Sequence, residues 1–188
     1  MKKVLIAPLH WGLGHATRCM PIIDAFLAQG AEVVLASDGN ALNLLKVEYP
    51  QLLCLELPPY NIHYKTGNMF LNIAPQVPKI LAAMRKEQAV LNQIIQTHKI
   101  DAVISDNRYG LYHSQIPSVL ITHQLNIAIP NRLVAAWIAS MNRRYIQKFT
   151  ACWVPDVADQ PSLAGDLSHS KLFSDITYIG ALSRMKWS

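Results

Sequence analysis

The feature that most constrains the fold is an alternation of short apolar runs with longer segments of helical periodicity. Buried parallel strands are typically short, continuous apolar runs, whereas a helix repeats its apolar positions at helical spacing. By these criteria strands are predicted at residues 4–9, 32–36, 52–57, 102–105, 118–122, 151–154 and 176–179, and helices at 15–29, 40–47, 75–97 and 131–149. The alternation predicts an α/β fold: a single domain on a doubly wound, mostly parallel, Rossmann-like sheet.

Such a sheet binds ligands outside the carboxyl ends of its strands. The residues that follow the predicted strands are rich in polar side chains and glycine, notably residues 10–15, 106–108 and 123–124. The first and fourth strands are neighbours in a sheet of this type. We therefore expect His15 and Asp106 to meet in one crevice, with the carboxylate within direct or one-water hydrogen-bond reach of the ring.

A glycine loop lies between the first strand and the first helix. Gly12 and Gly14 allow a ligand to approach the backbone closely, and the helix start supplies free N–H groups. A dinucleotide site would need a third glycine in G-x-G-x-x-G, but Thr17 stands there, although Asp38 would suit a ribose. The sequence therefore disfavours a nicotinamide or flavin dinucleotide, and no cofactor is expected.

The polar residues of this edge each allow two interpretations. His15 is either a general base or a histidine that packs or caps the helix. Asp106 is either a site residue or a cap for the turn at Asn107, because a buried carboxylate is costly without hydrogen bonds. Arg18 and Arg108 either bind a phosphate or carboxylate group or form structural salt bridges.

Charge and cysteine content restrict the partners. Lys and Arg outnumber Asp and Glu by 17 to 12, which favours an anionic partner, but the basic residues are scattered and predict no nucleic-acid binding. The three cysteines are widely spaced and the histidines lack metal-ligand spacing, which indicates a reduced, cytoplasmic protein without a metal site.

Membrane contact is left open by the sequence. No apolar stretch is long enough to cross a bilayer. The predicted helix at 131–149 carries Arg143, Arg144 and Lys148, which would suit peripheral contact with an anionic membrane surface. An apolar stripe on such a helix is more often part of the core.

Three segments resemble one enzyme family. The segment HWGLGHATRCMPIIDAFLAQGAEVVLASDG, residues 10–39, resembles the opening of glycosyltransferases that have two facing Rossmann-like domains, the GT-B type. Within that type it is most similar to family 28, which includes the UDP-N-acetylglucosamine transferase of peptidoglycan synthesis. The segments THQLNIAIPNRLVAAWIA, from residue 122, and ITYIGALSR, from residue 176, resemble its acceptor-side turn and its interdomain linker.

This resemblance implies a function and a domain organisation. Residues 1–180 would form the N-terminal, acceptor-binding domain and residues 181–188 the start of a linker to a donor-binding domain. The implied reaction transfers a sugar from a nucleotide donor, usually UDP-linked, to a sugar or lipid-linked acceptor with inversion at the anomeric carbon. The resemblance also implies that His15 is the general base and that Asp106 orients it.

Further substrate contacts follow from the same comparison and from position on the sheet edge. The candidate substrate-binding residues are Gly12, Gly14, Arg18, Asn107, Arg108, His123, Gln124 and Asn126. The glycine loop is shorter than that of the peptidoglycan enzyme. In addition, Gln124 replaces the glutamate that follows the matching histidine, so a different acceptor is expected.

Two other functions stay open at this point. The pattern G-x-G-H-x-x-R, which Arg18 completes, also opens a hydrolase of nucleotide sugars, in which water replaces the acceptor. The third reading is a non-catalytic domain that binds a sugar or a lipid phosphate. A stand-alone domain should finish with a packed terminal element, whereas residues 184–188 have the character of an interrupted linker.

Overall fold

The computed structural model describes residues 1–61, 74–125, 132–159, 162–168 and 176–183. Strands and helices alternate along them as β1 Lys3–Pro8, α1 Gly14–Ala28, β2 Glu32–Ser37, α2 Gly39–Glu48, β3 Leu53–Glu56, α3 Val77–His98, β4 Ala102–Asp106, β5 Ser118–Ile121, α4 Arg132–Ile146, β6 Ala151–Val154 and β7 Ile176–Tyr178. All seven strands form one sheet in the order β3-β2-β1-β4-β5-β6-β7, and every neighbouring pair is parallel. The predicted Rossmann-like α/β fold is confirmed.

The central strand β1 shows why helices cover both faces of the sheet. Successive side chains of a strand point to opposite faces. Val4 and Ile6 pack in the cluster that contains the buried side chains of α1, whereas Leu5 and Ala7 pack with Leu91 of α3. Because both faces of β1 are buried, apolar side chains are favoured at successive positions, which explains the continuous apolar run of this strand.

Helix α4 is shorter than predicted at its carboxyl end. The sequence predicts a helix to residue 149, but α4 ends at Ile146. The next residues form tighter bonds to carbonyls three positions back, from Lys148 to Tyr145 at 3.1 Å and from Phe149 to Ile146 at 3.0 Å. This turn brings Phe149 into the apolar cluster beside β5 and β6, so burial of one aromatic ring ends the helix.

The α-helices of the described segments have between 10 and 22 residues. The longest, α3, has 22 residues and carries charged side chains along its length. None of the helices within these segments is long and apolar enough to span a membrane.

The carboxyl ends of β1, β4 and β5 lie side by side. Pro8 pairs with Asp106, and Asp106 pairs in turn with Ile121. Beyond the strands, the N–H of Leu9 donates to the Asp106 carbonyl at 2.9 Å, and the N–H of Asn107 donates to the Ile121 carbonyl at 3.0 Å. These bonds hold the loops after the three strands in register at one edge of the sheet.

Candidate active site

The glycine loop after β1 leaves open space at the edge of the sheet. Gly12 has a φ of 74°, a left-handed conformation that side chains other than glycine adopt at a cost. A Cβ atom added at Gly12 or Gly14 would meet no other atom within 4 Å. Helix α1 begins at Gly14, and His15 therefore lies in its first turn, where the N–H groups are free.

Asp106, the last residue of β4, is fully buried and surrounded by donors. Its Oδ1 lies 3.2 Å from Nδ1 of His15, and its Oδ2 accepts from Nε of Arg18 at 2.9 Å. Nη2 of Arg18 donates to Oδ1 as well, and the Cys19 thiol lies 3.7 Å from Oδ2. The predicted proximity of His15 and Asp106 is confirmed, while their roles stay predictions.

These contacts keep the Asp106 carboxylate ionised. Burial by itself raises the pKa of a carboxyl group. The hydrogen bond from His15 and the charge of Arg18 outweigh burial and hold the pKa of Asp106 below its usual value. The domain therefore contains a buried negative charge that is paired with one guanidinium and directed at one imidazole.

Arg18 connects His15, Asp106 and His123. It lies three residues after His15 on α1, a spacing that puts both side chains on one face of the helix. Besides the two bonds to Asp106, its Nη2 lies 2.8 Å from Nδ1 of His15 and its Nη1 lies 3.1 Å from Nδ1 of His123. The sequence placed Arg18 among the substrate contacts, and its spacing from His15 was the available signal for this connecting position.

The two contacts of the His15 ring set opposite hydrogen-bond roles for one atom. The contact with Asp106 is a hydrogen bond only when Nδ1 carries the hydrogen, whereas the contact with Arg18 needs Nδ1 as the acceptor. A neutral ring satisfies one of them at a time. With Nδ1–H directed at Asp106, Nε2 keeps its lone pair and can take a proton.

His123 lies after β5, at the other end of the Arg18 guanidinium. The pKa of the His123 ring is lowered by partial burial, by the charge of Arg18 and by His15. These effects outweigh those of Asp106 and Asp156, which raise the pKa. Together these influences favour the neutral form of the ring. His15, Arg18, Asp106 and His123 form one connected cluster, called here the edge cluster.

Asn107 follows Asp106 directly and borders the edge cluster. Its φ of 58° is left-handed, a conformation that asparagine tolerates better than most residues. Its side chain is buried, and its Oδ1 accepts no hydrogen bond from the described residues. An orphaned buried acceptor beside the cluster fits the prediction that Asn107 contacts a ligand.

Two predicted substrate contacts remain, Gln124 and Asn126. Gln124 is half-buried next to His123, and its carbonyl accepts from the Asn142 amide of α4 at 3.0 Å. Asn126 lies outside the described residues.

Arg108 does not join the edge cluster, and its surroundings favour the structural salt bridge over the predicted substrate contact. Its side chain is fully buried and donates to Glu87 at 2.6 Å, to Asp38 at 2.6 Å and to the Pro58 carbonyl at 2.8 Å. The Tyr60 ring lies against the guanidinium, 5.6 Å from its centroid. These partners occupy the guanidinium, so Arg108 is a structural residue that ties α3, β2 and β4 together.

Metal ligands do not gather in the described segments: no group of three or more His, Cys, Asp or Glu side chains could hold an ion there. The edge cluster itself contributes one carboxylate, two imidazoles and a guanidinium. That set suits proton transfer and the binding of hydroxyl or phosphate oxygens.

Comparisons with known proteins identify the fold. No family model matches the chain, and no curated protein matches it by sequence. Among solved structures, MurG of Acinetobacter baumannii is 12% identical with a TM-score of 0.55 over 99% of this chain and 47% of its own length. UGT2 of Phytolacca americana, solved with UDP-2-fluoro-glucose and pterostilbene, is 15% identical with a TM-score of 0.63 over 96% of this chain and 54% of its own.

The chain has the fold of one Rossmann-like domain of a GT-B glycosyltransferase. It spans about half the length of the solved structures it matches. A proposed UDP-N-acetylglucosamine 2-epimerase from Listeria monocytogenes matches as well, at 13% identity and a TM-score of 0.50 over 83% of this chain and 39% of its own. The same fold therefore occurs in proteins with different activities, so the function has to be argued from the residues of the edge cluster.

Proposed function

We propose that this chain is the N-terminal, acceptor-binding domain of an inverting glycosyltransferase that uses a nucleotide-sugar donor, with UDP as the nucleotide. The observation that carries the proposal is the 3.2 Å contact between Nδ1 of His15 and Oδ1 of Asp106 at the carboxyl edge of the sheet. An imidazole whose inner nitrogen faces a buried carboxylate has the arrangement of a general base.

In the proposed reaction, Nε2 of His15 takes the proton from an acceptor hydroxyl. The hydroxyl oxygen forms a bond to the anomeric carbon of the donor sugar while the bond to the nucleoside diphosphate breaks on the opposite face, which inverts the configuration. Asp106 fixes the hydrogen on Nδ1 of His15 and stabilises the imidazolium that forms. A general base of this kind contributes about 10²–10⁴-fold to the rate.

The donor would occupy the space next to the glycine loop. Gly12 and Gly14 leave the backbone accessible, and the free N–H groups at the start of α1 suit the diphosphate. Asn107, His123 and Gln124 would contact the acceptor, which is a sugar or a lipid-linked sugar. The rest of the donor site would lie on a second domain beyond residues 181–188, and any contact with a membrane would be peripheral.

One observation favours a second candidate, hydrolysis of a nucleotide sugar. Arg18 completes the pattern G-x-G-H-x-x-R and is built into the edge cluster through its contacts with Asp106 and His15. In that reaction His15 would activate water instead of an acceptor hydroxyl. The two candidates differ in whether release of the nucleoside diphosphate depends on an added acceptor.

The experiment replaces His15 by alanine in the full-length enzyme and follows release of UDP from a panel of UDP-sugars with and without acceptors. We expect kcat to fall by about 10²–10⁴-fold with little change in the donor KM. His98→Ala is the matched control, because His98 ends α3 just before β4 begins and so lies at the opposite end of the sheet. A His15→Ala enzyme with normal kcat contradicts the proposal, and release without acceptor favours the hydrolase.

A further inference from the structure

The orientation of the Arg18 guanidinium is fixed by Asp106. Nε and Nη2 donate to the two oxygens of the carboxylate, the two-pronged geometry that a planar guanidinium and a carboxylate form. The Arg18 side chain is 15% exposed and the Asp106 side chain is fully buried, so this pair is held inside the domain. Nη1, the remaining nitrogen, is left to contact Nδ1 of His123 at 3.1 Å.

This contact determines where the hydrogen of His123 lies. A guanidinium donates hydrogen bonds and has no lone pair with which to accept one, so Nδ1 of His123 is the acceptor. A neutral imidazole carries one N–H, which must then be on Nε2. We propose that Arg18 is a positioning residue that holds His123 as a neutral ring with an Nε2–H donor available to an oxygen atom of the ligand.

The groups around His123 support a neutral donor. Arg18 and His15 face it from α1, Asp106 from the end of β4 and Asp156 from the end of β6. Asp156 is itself engaged by the N–H groups of its own loop, and Asp106 is paired with Arg18. Both carboxylates are therefore engaged by other donors, and burial and the guanidinium charge outweigh them at the ring.

The edge cluster would therefore present two ring nitrogens with complementary roles to a ligand. Nε2 of His15 is the acceptor, and Nε2–H of His123 is the donor. When Nδ1–H of His15 is directed at Asp106, Nε2 of His15 accepts the proton of the attacking hydroxyl. The Nε2–H of His123 donates to a second oxygen of the same ligand, a neighbouring hydroxyl or a phosphate. The ligand class is thus a compound with two oxygens close together, such as a sugar diol or a sugar phosphate. This part rests on the proposed function, whereas the tautomer of His123 does not.

Nuclear magnetic resonance of the 15N-labelled chain measures the tautomer directly. The proposal expects Nδ1 of His123 to show the shift of an acceptor nitrogen and Nε2 that of a protonated one at neutral pH. In Arg18→Met the preference should be lost, and the midpoint of the His123 titration should move to higher pH. Arg18→Lys keeps a positive charge beside Asp106 but lacks the planar fork, so it should stay folded and still lose the fixed tautomer.

A hydrogen on Nδ1 of His123 in the unaltered chain overturns the proposal, as does a titration midpoint that stays in place in both Arg18 variants. The role toward the ligand is tested by turnover of the full-length enzyme. His123→Gln keeps a donor close to the position of Nε2, whereas His123→Met does not. We expect acceptor KM to rise at least tenfold more in His123→Met than in His123→Gln, and equal losses contradict the donor role. If the tautomer is as proposed but His15→Ala is fully active, the proposed function fails and the Arg18 inference stands.

Discussion

Two arginines at the carboxyl side of this sheet have the same chemistry and different environments. Arg108 is fully buried, and its partners are two carboxylates and a backbone carbonyl. Arg18 has a partly exposed side chain and divides its donors between one carboxylate and two imidazoles. A fully partnered buried ion pair holds structural elements together, whereas imidazoles that reach the surface leave outer nitrogens for a ligand. The comparison separates a stabilising network from a candidate catalytic one.

The largest effect on stability is expected at Arg108. Arg108→Met leaves the buried Glu87 and the nearly buried Asp38 without their cation, and breaking a buried pair in this way costs about 3–5 kcal/mol. Arg18→Met should cost about 1–3 kcal/mol, because Asp106 retains the contacts with His15 and Cys19. Urea unfolding of both variants measures the difference. Equal losses, or a larger loss in Arg18→Met, would contradict the distinction between the two arginines.

The next prediction uses the opposite pKa directions of the two buried carboxyl groups. The pKa of Asp106 is lowered in the folded state, so the folded chain binds fewer protons there than the unfolded chain. The stability that Asp106 provides is therefore present above its unfolded pKa and is lost as pH falls through the folded one. Asp106→Asn should reduce the loss of stability on the acid side, as measured by urea unfolding over a pH series.

Glu87 should behave in the opposite way. Burial raises the pKa of Glu87 despite the nearby Arg108 and the hydrogen bond from Tyr60, so the folded chain binds more protons at this position than the unfolded chain. Its effect is a decline in stability as pH rises from the unfolded pKa through the raised folded value, and Glu87→Gln should remove it. If the unfolding free energies of the Asp106→Asn and Glu87→Gln chains run parallel over the pH series, the two sites do not differ as described.

The fold could be predicted because its signals are local. The apolar run of β1 and the periodicity of α1 and α3 are properties of consecutive residues, and the glycine loop marks the junction between the first strand and helix. Helix ends were less predictable. Burial of Phe149, which the neighbouring sequence does not encode, ends α4 three residues before the predicted boundary.

The candidate site was predictable only where the order of strands in the sheet decides which residues meet. Strand order brought His15 and Asp106 together, because β1 and β4 are neighbours in a sheet of this type. The same rule placed Arg108 at the edge, whereas Arg18 was predicted from the pattern G-x-G-H-x-x-R, and both were candidate substrate contacts. Their separation depends on which side chains meet them, namely His123 for the first and Glu87 for the second, and these partners are distant in sequence. A pattern of single residues cannot supply that information.

The smallest effect on stability is expected at the end of β4, where the networks of Arg18 and Arg108 are one residue apart. Adjacent strand residues point to opposite faces of the sheet: Ser105 donates to the Arg108 carbonyl at 2.7 Å, and Asp106 pairs with Arg18 of α1. Ser105→Ala removes one buried hydrogen bond, and the Arg108 carbonyl keeps a second from Leu111 at 3.2 Å, so we expect a loss of about 1 kcal/mol in urea unfolding. Because the serine belongs to the other face, the tautomer and titration of His123 should not change in this variant. A shift in the His123 titration would show that the two networks are coupled through the strand, and that Arg108 contributes to the site as well as to stability.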